Sequence, residues 1–262
     1  MAGITTGISI KSKEEIQTMV EGGRILSHIK DKLEDKINVG TNAAEVEKLA
    51  SDLIAKSGGR ASFKMVPNYC WSTCINVNSG IVHGIPKKEI VFKKGDLVSL
   101  DIGLYYKGFH TDSSFSLGLG VDQKTKAFLS AGEEAFKEAE SKVVVGGRIY
   151  DISQAIESVV TKAGYEPVRA LTGHGVGKAL HEEPAIPCFT SGEREDTPLI
   201  QEGMTLAIEV MYTLGSNKLA LEEDGWTIST HDGKISALFE ETVAATSGGP
   251  LVLTKIPRKV KV

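Results

Sequence analysis

The sequence predicts an α+β fold that is built from two related halves, with antiparallel sheets inside and helices outside. Each half shows two helical patterns followed by strands, and the second half matches the first when the numbering is shifted by 106. Strands in equivalent places, 93–103 and 201–211, each carry one central acid. We expect the halves, about 12–120 and 121–250, to pack two sheets about a pseudo-twofold axis in a single domain, 1–262. The matched pairs are Val39/Val145, Gly40/Gly146, Val46/Ile152, Leu53/Val159, Ile54/Val160, Lys56/Lys162 and Gly58/Gly164.

The helices are predicted from capping signals and apolar spacing. Ser12 and Glu15 have the Ser-x-x-Glu form of a capping box, and apolar residues recur behind them at helical spacing. A second helix is expected to begin near Thr41 and to end at Gly58. In the second half, the Ala/Glu-rich stretch 123–141 is predicted to be helical, and the pattern after it repeats that of the second helix.

Composition and charge narrow the classes of partner. The 262 residues are 41% hydrophobic and 24% charged with a formal net charge of −4, so no global basic field predicts a nucleic acid or a membrane surface as partner. Only the tail, 255–262, is locally basic. No apolar run approaches the roughly 18 residues of a membrane span, and the N-terminus lacks the apolar segment of a secretory signal.

The cysteines favour a reducing compartment. Cys70 and Cys74 could supply half of a zinc site, but no second pair of cysteines or histidines completes it. With Cys188 they make an odd number, and free thiols are typical of the cytoplasm. We therefore predict a cytoplasmic protein.

Side-chain alternation places the two strand acids on polar faces. Asp101 shares its face with small and polar residues, whereas the opposite face of the strand is made of large aliphatic side chains. Glu209 is flanked in the same way in the second half. Because the duplication gives both acids equivalent positions, we interpret them as lining the floor of one cavity.

The stretch SLDIGLYYKGFHTDSS, residues 99–114, predicts a hairpin with an acid on each arm. If paired positions sum to 213, Asp101 lies directly opposite Asp112, where like charges repel unless a proton or a cation lies between them. A turn centred on Lys107 and Gly108 would instead shift this pairing by two residues.

A third strand and three histidines complete the set of candidate ligands. The strand 235–245 carries Glu240 and Glu241, and alternation alone does not decide which of them faces the cavity. A nitrogen ligand would favour a transition-metal ion over calcium or magnesium. The histidine candidates are His83, His174 and His181.

Taken together, these residues resemble the type I methionine aminopeptidases. The resemblance covers nearly the whole chain, and it implies the pita-bread (creatinase/aminopeptidase) fold. It also implies a metal-dependent hydrolase that removes the N-terminal methionine from nascent proteins and peptides with a small second residue. The ordered motifs are HGIP at 83–86, SLDIG at 99–103, HTDSS at 110–114, GHGVG at 173–177, HEEP at 181–184, AIEVM at 207–211, DGW at 224–226 and FEET at 239–242.

The resemblance implies a dinuclear metal site, which would explain the pair of aspartates on the hairpin. Asp112 and Glu240 match the two bridging carboxylates, and Asp101 would complete one metal ion. His174 and Glu209 would complete the other. The two divalent ions could be Co, Mn, Fe or Zn, and they would activate a water molecule that attacks the first peptide bond.

The resemblance also assigns catalytic and substrate-binding roles. His181 would stabilise the developing charge on the carbonyl oxygen, His83 would contact the scissile amide nitrogen, and Glu209 would shuttle protons. Cys74 and Trp226 match positions of the methionine pocket, and we expect an aromatic wall from 63–69. The chain departs from the family pattern at Glu241, which usually is histidine, and at Leu180, which usually is aromatic.

Two other interpretations remain open. A prolidase or aminopeptidase P has the same fold and would prefer X-Pro peptides, whereas a non-catalytic binding protein of this fold would bind no divalent metal tightly. As partners we expect nascent polypeptide N-termini, and we hypothesise that the basic tail assists at the ribosome. We expect a monomer with neither a nucleic-acid substrate nor a membrane association.

Overall fold

The computed structural model describes residues 7–255, and four helices form the outer layer of this part of the chain. They are α1 (Lys13–Lys36), α2 (Ala43–Lys56), α3 (Gln123–Ser141) and α4 (Ile149–Lys162). The predicted capping box is confirmed: Ser12 Oγ accepts from the Glu15 amide at 3.2 Å, and Glu15 Oε2 accepts from the Ser12 amide at 2.9 Å. The predicted range 123–141 is confirmed as α3.

The strands form one large sheet and one small one. The path of the ten-stranded sheet is β1-β4-β5-β12-β9-β7-β8, with β2 paired to β4, β6 to β9 and β13 to β12. A three-stranded sheet has the order β10-β11-β3. The strands are β1 (Arg60–Ala61), β2 (Thr73–Val77), β3 (Gly80–Val82), β4 (Leu97–Tyr106), β5 (Phe109–Gly118), β6 (Glu166–Pro167), β7 (Thr172–Gly175), β8 (Glu182–Pro187), β9 (Thr205–Thr213), β10 (Leu219–Leu221), β11 (Ile228–Thr230), β12 (Ser236–Thr246) and β13 (Gly249–Val252).

The internal repeat is visible in the backbone. Gly40 and Gly146, which the 106-residue shift matches, both have a φ of +89°, and Gly58 and Gly164 have φ values of +77° and +84°. These left-handed conformations favour glycine. In each half, the repeat therefore preserves one glycine in the loop before a helix and one glycine directly after the end of that helix.

The expectation of two separate sheets is wrong, because the halves join edge to edge in one sheet. β5 of the first half pairs with β12 of the second, and this pairing closes strand edges that would otherwise expose unpaired backbone groups. We call the β5–β12 junction the seam. Its register places Ser114 opposite Glu240 and Ser113 opposite Glu241.

Side-chain hydroxyls extend the seam beyond these two residue pairs. Thr242 Oγ1 accepts from the amide of Asp112 at 2.9 Å and donates to its carbonyl at 2.8 Å. At the other end, Ser116 Oγ donates to the carbonyl of Leu238 at 2.9 Å and accepts from its amide at 3.0 Å. Each hydroxyl thereby supplies both the acceptor and the donor that the backbone of the neighbouring strand supplies in a regular sheet.

The helices cover one face of the sheet in both halves. Leu100 and Ile102 of β4 pack with α1 and α2, and Ile208 and Val210 of β9 pack with α3 and α4. The alternate residues of both strands therefore face the opposite side, as the sequence predicted.

Several expectations from the chain as a whole can be compared with the described residues. Cys70, Cys74 and Cys188 are all unpaired, and only Cys70 is exposed. Within residues 7–255 no helix combines the length and the apolarity that crossing a bilayer requires. The basic tail falls almost entirely outside the described residues, which end at Lys255.

Gly132 allows α3 to lie directly on the sheet, and its replacement should destabilise the protein. A Cβ at this position would lie 2.6 Å from Tyr212 Oη and closer still to the ring of Phe239, both of which are buried. We expect Gly132→Ala to lower the free energy of unfolding by about 1–3 kcal/mol through overpacking, although alanine in an open helix would raise it by about 1 kcal/mol. Urea denaturation measures the difference. Ser130→Ala, exposed on the same helix, is the control, and a stabilised Gly132→Ala variant would contradict the packing.

Candidate metal centre and active site

The acids predicted from the strands lie in neighbouring positions on the face of the sheet opposite the helices. Asp101 is opposite Ser114, Ser114 is opposite Glu240, and Glu240 is opposite Glu209, so one row crosses β4, β5, β12 and β9. The next row contains Asp112, opposite Gly103, and ends at His174, opposite Ala207. The five residues therefore come from five different strands of one face.

The first pairing predicted for the hairpin is wrong by two residues. Asp101 pairs with Ser114 and Asp112 with Gly103, so the aspartates are diagonal rather than direct neighbours. The reason is the turn: Lys107 and Gly108 have φ values of +46° and +95°, as a two-residue hairpin turn requires. A shift of two residues keeps both side chains on the same face, so the inference of facing carboxylates survives.

The structure decides which glutamate of β12 faces the cavity. Glu240 shares the face of Glu209 and is 2% exposed, whereas Glu241 points to the helix side and contacts Lys30. The register of β12 against β5 and β9 gives this orientation, and alternation along a single strand could not show it.

Three of these side chains have ligand atoms that converge. One ligand atom from each of Asp112, His174 and Glu240 lies within 4.8 Å of the others. His174 Nε2 is also 3.6 Å from Glu209 Oε1. His174 Nδ1 lies 2.9 Å from the carbonyl of Gly175, which can only accept, so the ring hydrogen is on Nδ1 and the lone pair of Nε2 faces the carboxylates.

Burial and mutual repulsion hold protons on the cluster when no cation offsets them. Burial raises the pKa of Asp112 to about 7, and burial with the charge of Asp112 raises the pKa of Glu209 to about 8. The same causes raise the pKa of Asp101 and of Glu240 well above the ordinary range. Burial and the neighbouring His181 lower the pKa of His174 to about 3, so its ring is neutral at physiological pH.

The donor set fits divalent metal ions. Asp101 Oδ1 and Glu240 Oε1 are buried and have no hydrogen-bond partner within the described residues. Buried carboxylate oxygens without donors are costly unless a cation binds them. Four carboxylates with one imidazole nitrogen suit Mn, Fe, Co or Zn better than calcium.

His181 lies against this cluster, and His83 lies close enough to His181 for the two rings to influence each other. The ring of His181 packs edge-on against His174 with centroids 4.5 Å apart. Both His83 and His181 keep exposed area, yet burial by surrounding protein lowers the pKa of each, and His181 lowers that of His83 further. Both rings are therefore neutral near pH 7, with one N–H available to a substrate.

A buried ion pair supports the loop that carries His181. Lys11 Nζ lies 2.5 Å from Glu182 Oε2, and both side chains are 2% exposed. Glu182 Oε1 also accepts from the Ala179 amide at 3.0 Å, and the Lys11 amide donates to the Gly203 carbonyl at 2.8 Å. The segment before α1 thereby holds Glu182, which directly follows His181, and contacts the turn that precedes β9.

An apolar cluster of side chains adjoins the acids. Cys74 is the cross-strand partner of Asp101 and packs with Phe63, Tyr69 and Leu180 in one buried cluster, with Trp226 against it. The rings of Tyr69 and Trp226 meet edge-on with centroids 5.0 Å apart. The stretch 63–69 does supply an aromatic wall, as predicted, and Leu180 lies in the same wall.

Sequence reasoning missed residues that hold the site in place. Glu47 of α2 accepts from the amides of Ser72 and Thr73 at 2.8 and 3.0 Å and so fixes the start of the strand that carries Cys74. Thr242 and Lys11 were missed as well. Lys30 was detectable, because it falls on the buried face of α1 at helical spacing from Leu26 and Leu33.

Comparison with known proteins agrees with this geometry. The family model of metallopeptidase family M24 matches residues 17–247. The methionine aminopeptidase of Clostridium perfringens is 37% identical over 250 residues, covering 95% of this chain and 99% of that protein. Methionine aminopeptidase 1 of Bacillus subtilis is 36% identical, with 95% and 100% covered.

Solved structures show the same relationship. A crystal structure of methionine aminopeptidase from Thermotoga maritima superposes with a TM-score of 0.92 at 36% identity, covering 95% of this chain and all of that one. A prolidase from Pyrococcus furiosus gives 0.76 at 24% identity, with 95% of this chain but 66% of that chain covered. The second likeness shows the shared pita-bread fold alone.

The raised carboxyl pKa values predict how pH affects the stability of the metal-free protein. Asp112 and Glu209 ordinarily titrate near 3.8 and 4.5, so between those values and about 7 and 8 the folded state binds more protons than the unfolded state. These carboxyls should therefore lower the free energy of unfolding as pH rises, by about 1.4 kcal/mol per pH unit for each extra proton. The lowered pKa values of His83, His174 and His181 act in the opposite direction below their ordinary value of 6.5, so the net fall is expected above that pH. Urea denaturation at pH 6.5, 7, 7.5 and 8 with a chelator measures the slope.

Two comparisons isolate the cluster in this experiment. Glu240→Gln should flatten the slope, whereas Glu134→Gln, an exposed acid on α3, should leave it unchanged. Added Mn(II) should raise stability most at pH 8, because the ions replace protons. Identical slopes for the wild type and Glu240→Gln would contradict the repulsion that the buried carboxylates imply.

Proposed function

The chain belongs to metallopeptidase family M24, and on that premise we propose that it is a methionyl aminopeptidase, a metal-dependent hydrolase. It removes the N-terminal methionine from nascent proteins and peptides with a small second residue. The observation that carries this proposal is a buried set of four carboxylates and one imidazole beside an apolar cluster of side chains that contains Cys74, with two neutral histidines nearby.

Five residues would hold two divalent metal ions, drawn from Co, Mn, Fe and Zn. They are Asp101, Asp112, His174, Glu209 and Glu240, and the central positions of Asp112 and Glu240 suit them to bridge both ions. When bound, the ions supply a water of lowered pKa and polarise the scissile carbonyl. Their charge also offsets the repulsion that otherwise keeps protons on the cluster.

The chain's own residues then handle the protons and the developing charge. Glu209, as a carboxylate, can take the proton that water loses on attacking the carbonyl carbon and pass it to the departing amide nitrogen. His181 donates its ring N–H to the carbonyl oxygen as negative charge develops there. His83 contacts the amide nitrogen and helps it leave.

The pocket would select methionine by shape and by its apolar surface. In this proposal the methionine side chain lies against Cys74, Tyr69, Leu180 and Trp226, beside Asp101, so that its own carbonyl lies over the acids. Burial raises the pKa of the Cys74 thiol and of the Tyr69 hydroxyl, so neither introduces a charge. A flexible thioether fits such a slot well.

The remaining partners follow from this activity. We propose that the protein acts as a cytoplasmic monomer on polypeptide N-termini and that the tail 255–262 contributes to ribosome association. Neither a nucleic-acid substrate nor a membrane is part of the proposal. Deletion of 255–262 with unchanged ribosome co-sedimentation would count against the role of the tail.

Release of methionine from Met-Ala-Ser tests the reaction. Metal-stripped protein should be inactive, and Co(II) or Mn(II) should restore release of free methionine. Asp112→Asn should abolish that release, because it removes a carboxylate from the centre of the cluster. Asp52→Asn, the same chemical change on the exposed face of α2, should retain wild-type activity.

Substrate preference separates this proposal from the prolidase interpretation. Cleavage of X-Pro peptides without methionine release would contradict the methionyl specificity while leaving the metal centre intact. An inactive protein that binds no divalent ion would instead support the non-catalytic interpretation.

The role of His181 predicts a selective loss of turnover. His181→Ala should lower kcat by about 10²–10³ with a smaller change in KM, because the N–H stabilises charge that develops only in the transition state. Steady-state kinetics on Met-Ala-Ser measure both constants. His28→Ala, exposed on α1, is the control, and a rise in KM at constant kcat would show that His181 serves ground-state binding instead.

A further inference from the structure

A buried ion pair lies behind the metal centre, on the helix side of the sheet. Lys30 Nζ of α1 is 2.6 Å from Glu241 Oε1 of β12, and the two side chains are 10% and 11% exposed. Ion pairs removed from water contribute little to stability unless their remaining hydrogen-bonding atoms find partners. In this pair, neighbouring side chains supply those partners.

The pair is part of a network that spans the seam. Lys30 Nζ donates to Ser113 Oγ at 2.5 Å, and Ser113 Oγ in turn donates to Glu241 Oε2 at 2.6 Å. Thr254 Oγ1 donates to the same oxygen at 2.7 Å. One helix, both seam strands and the segment after β13 thus meet at a single carboxylate.

The positions of these residues in the strands make the network relevant to the metal centre. Ser113 and Glu241 are cross-strand partners, and they are the immediate neighbours of Asp112 and Glu240. Alternation sends the first two side chains to the helix side and the other two to the cavity. Ser113 Oγ is also 3.0 Å from the carbonyl of Glu240, and the Ser113 amide donates to Asp112 Oδ1 at 3.1 Å.

We propose that Lys30 and Glu241 are positioning residues for the metal centre. Their ion pair holds Ser113 and Glu241 together across the seam, and through the backbone it fixes the separation of Asp112 and Glu240. This inference rests on the proposed function, because it assigns to the ion pair a role in the geometry of the metal ligands. The regular backbone pairing of the seam is limited to the two residue pairs at this point, so the side-chain network supplies the rigidity.

Electrostatics and ligand positioning predict opposite effects for Lys30→Met, and this substitution therefore separates the two explanations. Lys30→Met removes a positive charge, so electrostatics alone would tighten cation binding, whereas Glu241→Gln removes a negative charge and would weaken it. If the pair positions ligands, both substitutions weaken binding. The loss of outer partners of metal ligands typically costs about 10–100-fold in affinity.

The experiment is a titration of metal-stripped full-length protein with Co(II), followed by calorimetry and by the visible absorption of the bound ion. We expect Lys30→Met and Glu241→Gln each to weaken binding by about 10-fold or more and to change the absorption spectrum, which reports ligand geometry. Lys30→Arg should largely restore both, because it keeps the charge and the donor. If those variants fold poorly, Thr254→Val replaces them in the experiment. This substitution changes no charge, and it should weaken Co(II) binding by a smaller factor.

A stability-matched control excludes a general effect of a loosened helix. Leu33→Ala opens a cavity on the same buried face of α1 without touching the network, and it should lower the thermal midpoint yet bind Co(II) as the wild type does. Tighter or unchanged binding by Lys30→Met, or an unchanged spectrum, overturns the inference while the proposed function stands. A wild type that binds no Co(II) overturns both.

Discussion

The arrangement of this protein follows from the cost of gathering four carboxylates on one desolvated face. Burial raises the pKa values of Asp101, Asp112, Glu209 and Glu240, and repulsion from neighbouring carboxylates raises all of them except that of Asp112 further. Two buried oxygens in the set have no hydrogen-bond donor among residues 7–255. Only bound protons or cations offset the repulsion within such a cluster, so the fold creates a binding site for positive charge at this place.

The sheet can hold that cluster because its two halves meet there. The acids come from strands on both sides of the seam, so neither half contains the complete donor set. Backbone pairing at the seam is short, and hydroxyls of Thr242 and Ser116 continue it by binding both the amide and the carbonyl of one opposite residue. The seam is therefore joined at the same point where repulsion would separate it.

The supporting contacts come from elements that lie outside the active face. Glu47 fixes the start of β2 and thus the wall of the pocket, Lys11 holds the loop of His181, and Lys30 reaches the seam from α1. Each contact is a buried or half-buried charge with several hydrogen bonds, the kind of interaction that fixes geometry more than it adds stability. The helices thus orient the active face as well as cover it.

The sequence by itself determined the helices, the duplication, the strands that carry acids and the residue types of the site. These properties depend on local spacing: a capping box, a period of 3.6 or 2, and an offset of 106 residues can all be read along one chain. Recognition of the ordered motifs added the expected roles. The choice of hairpin register, the choice between Glu240 and Glu241, and the merging of two expected sheets into one were decided only by the tertiary structure. The hairpin register follows from the backbone of the turn at Lys107 and Gly108, which side-chain alternation does not reveal. The other two depend on hydrogen bonds between residues distant in sequence, such as Thr242 with Asp112, and periodicity along a single strand carries no information about which partner strand lies beside it.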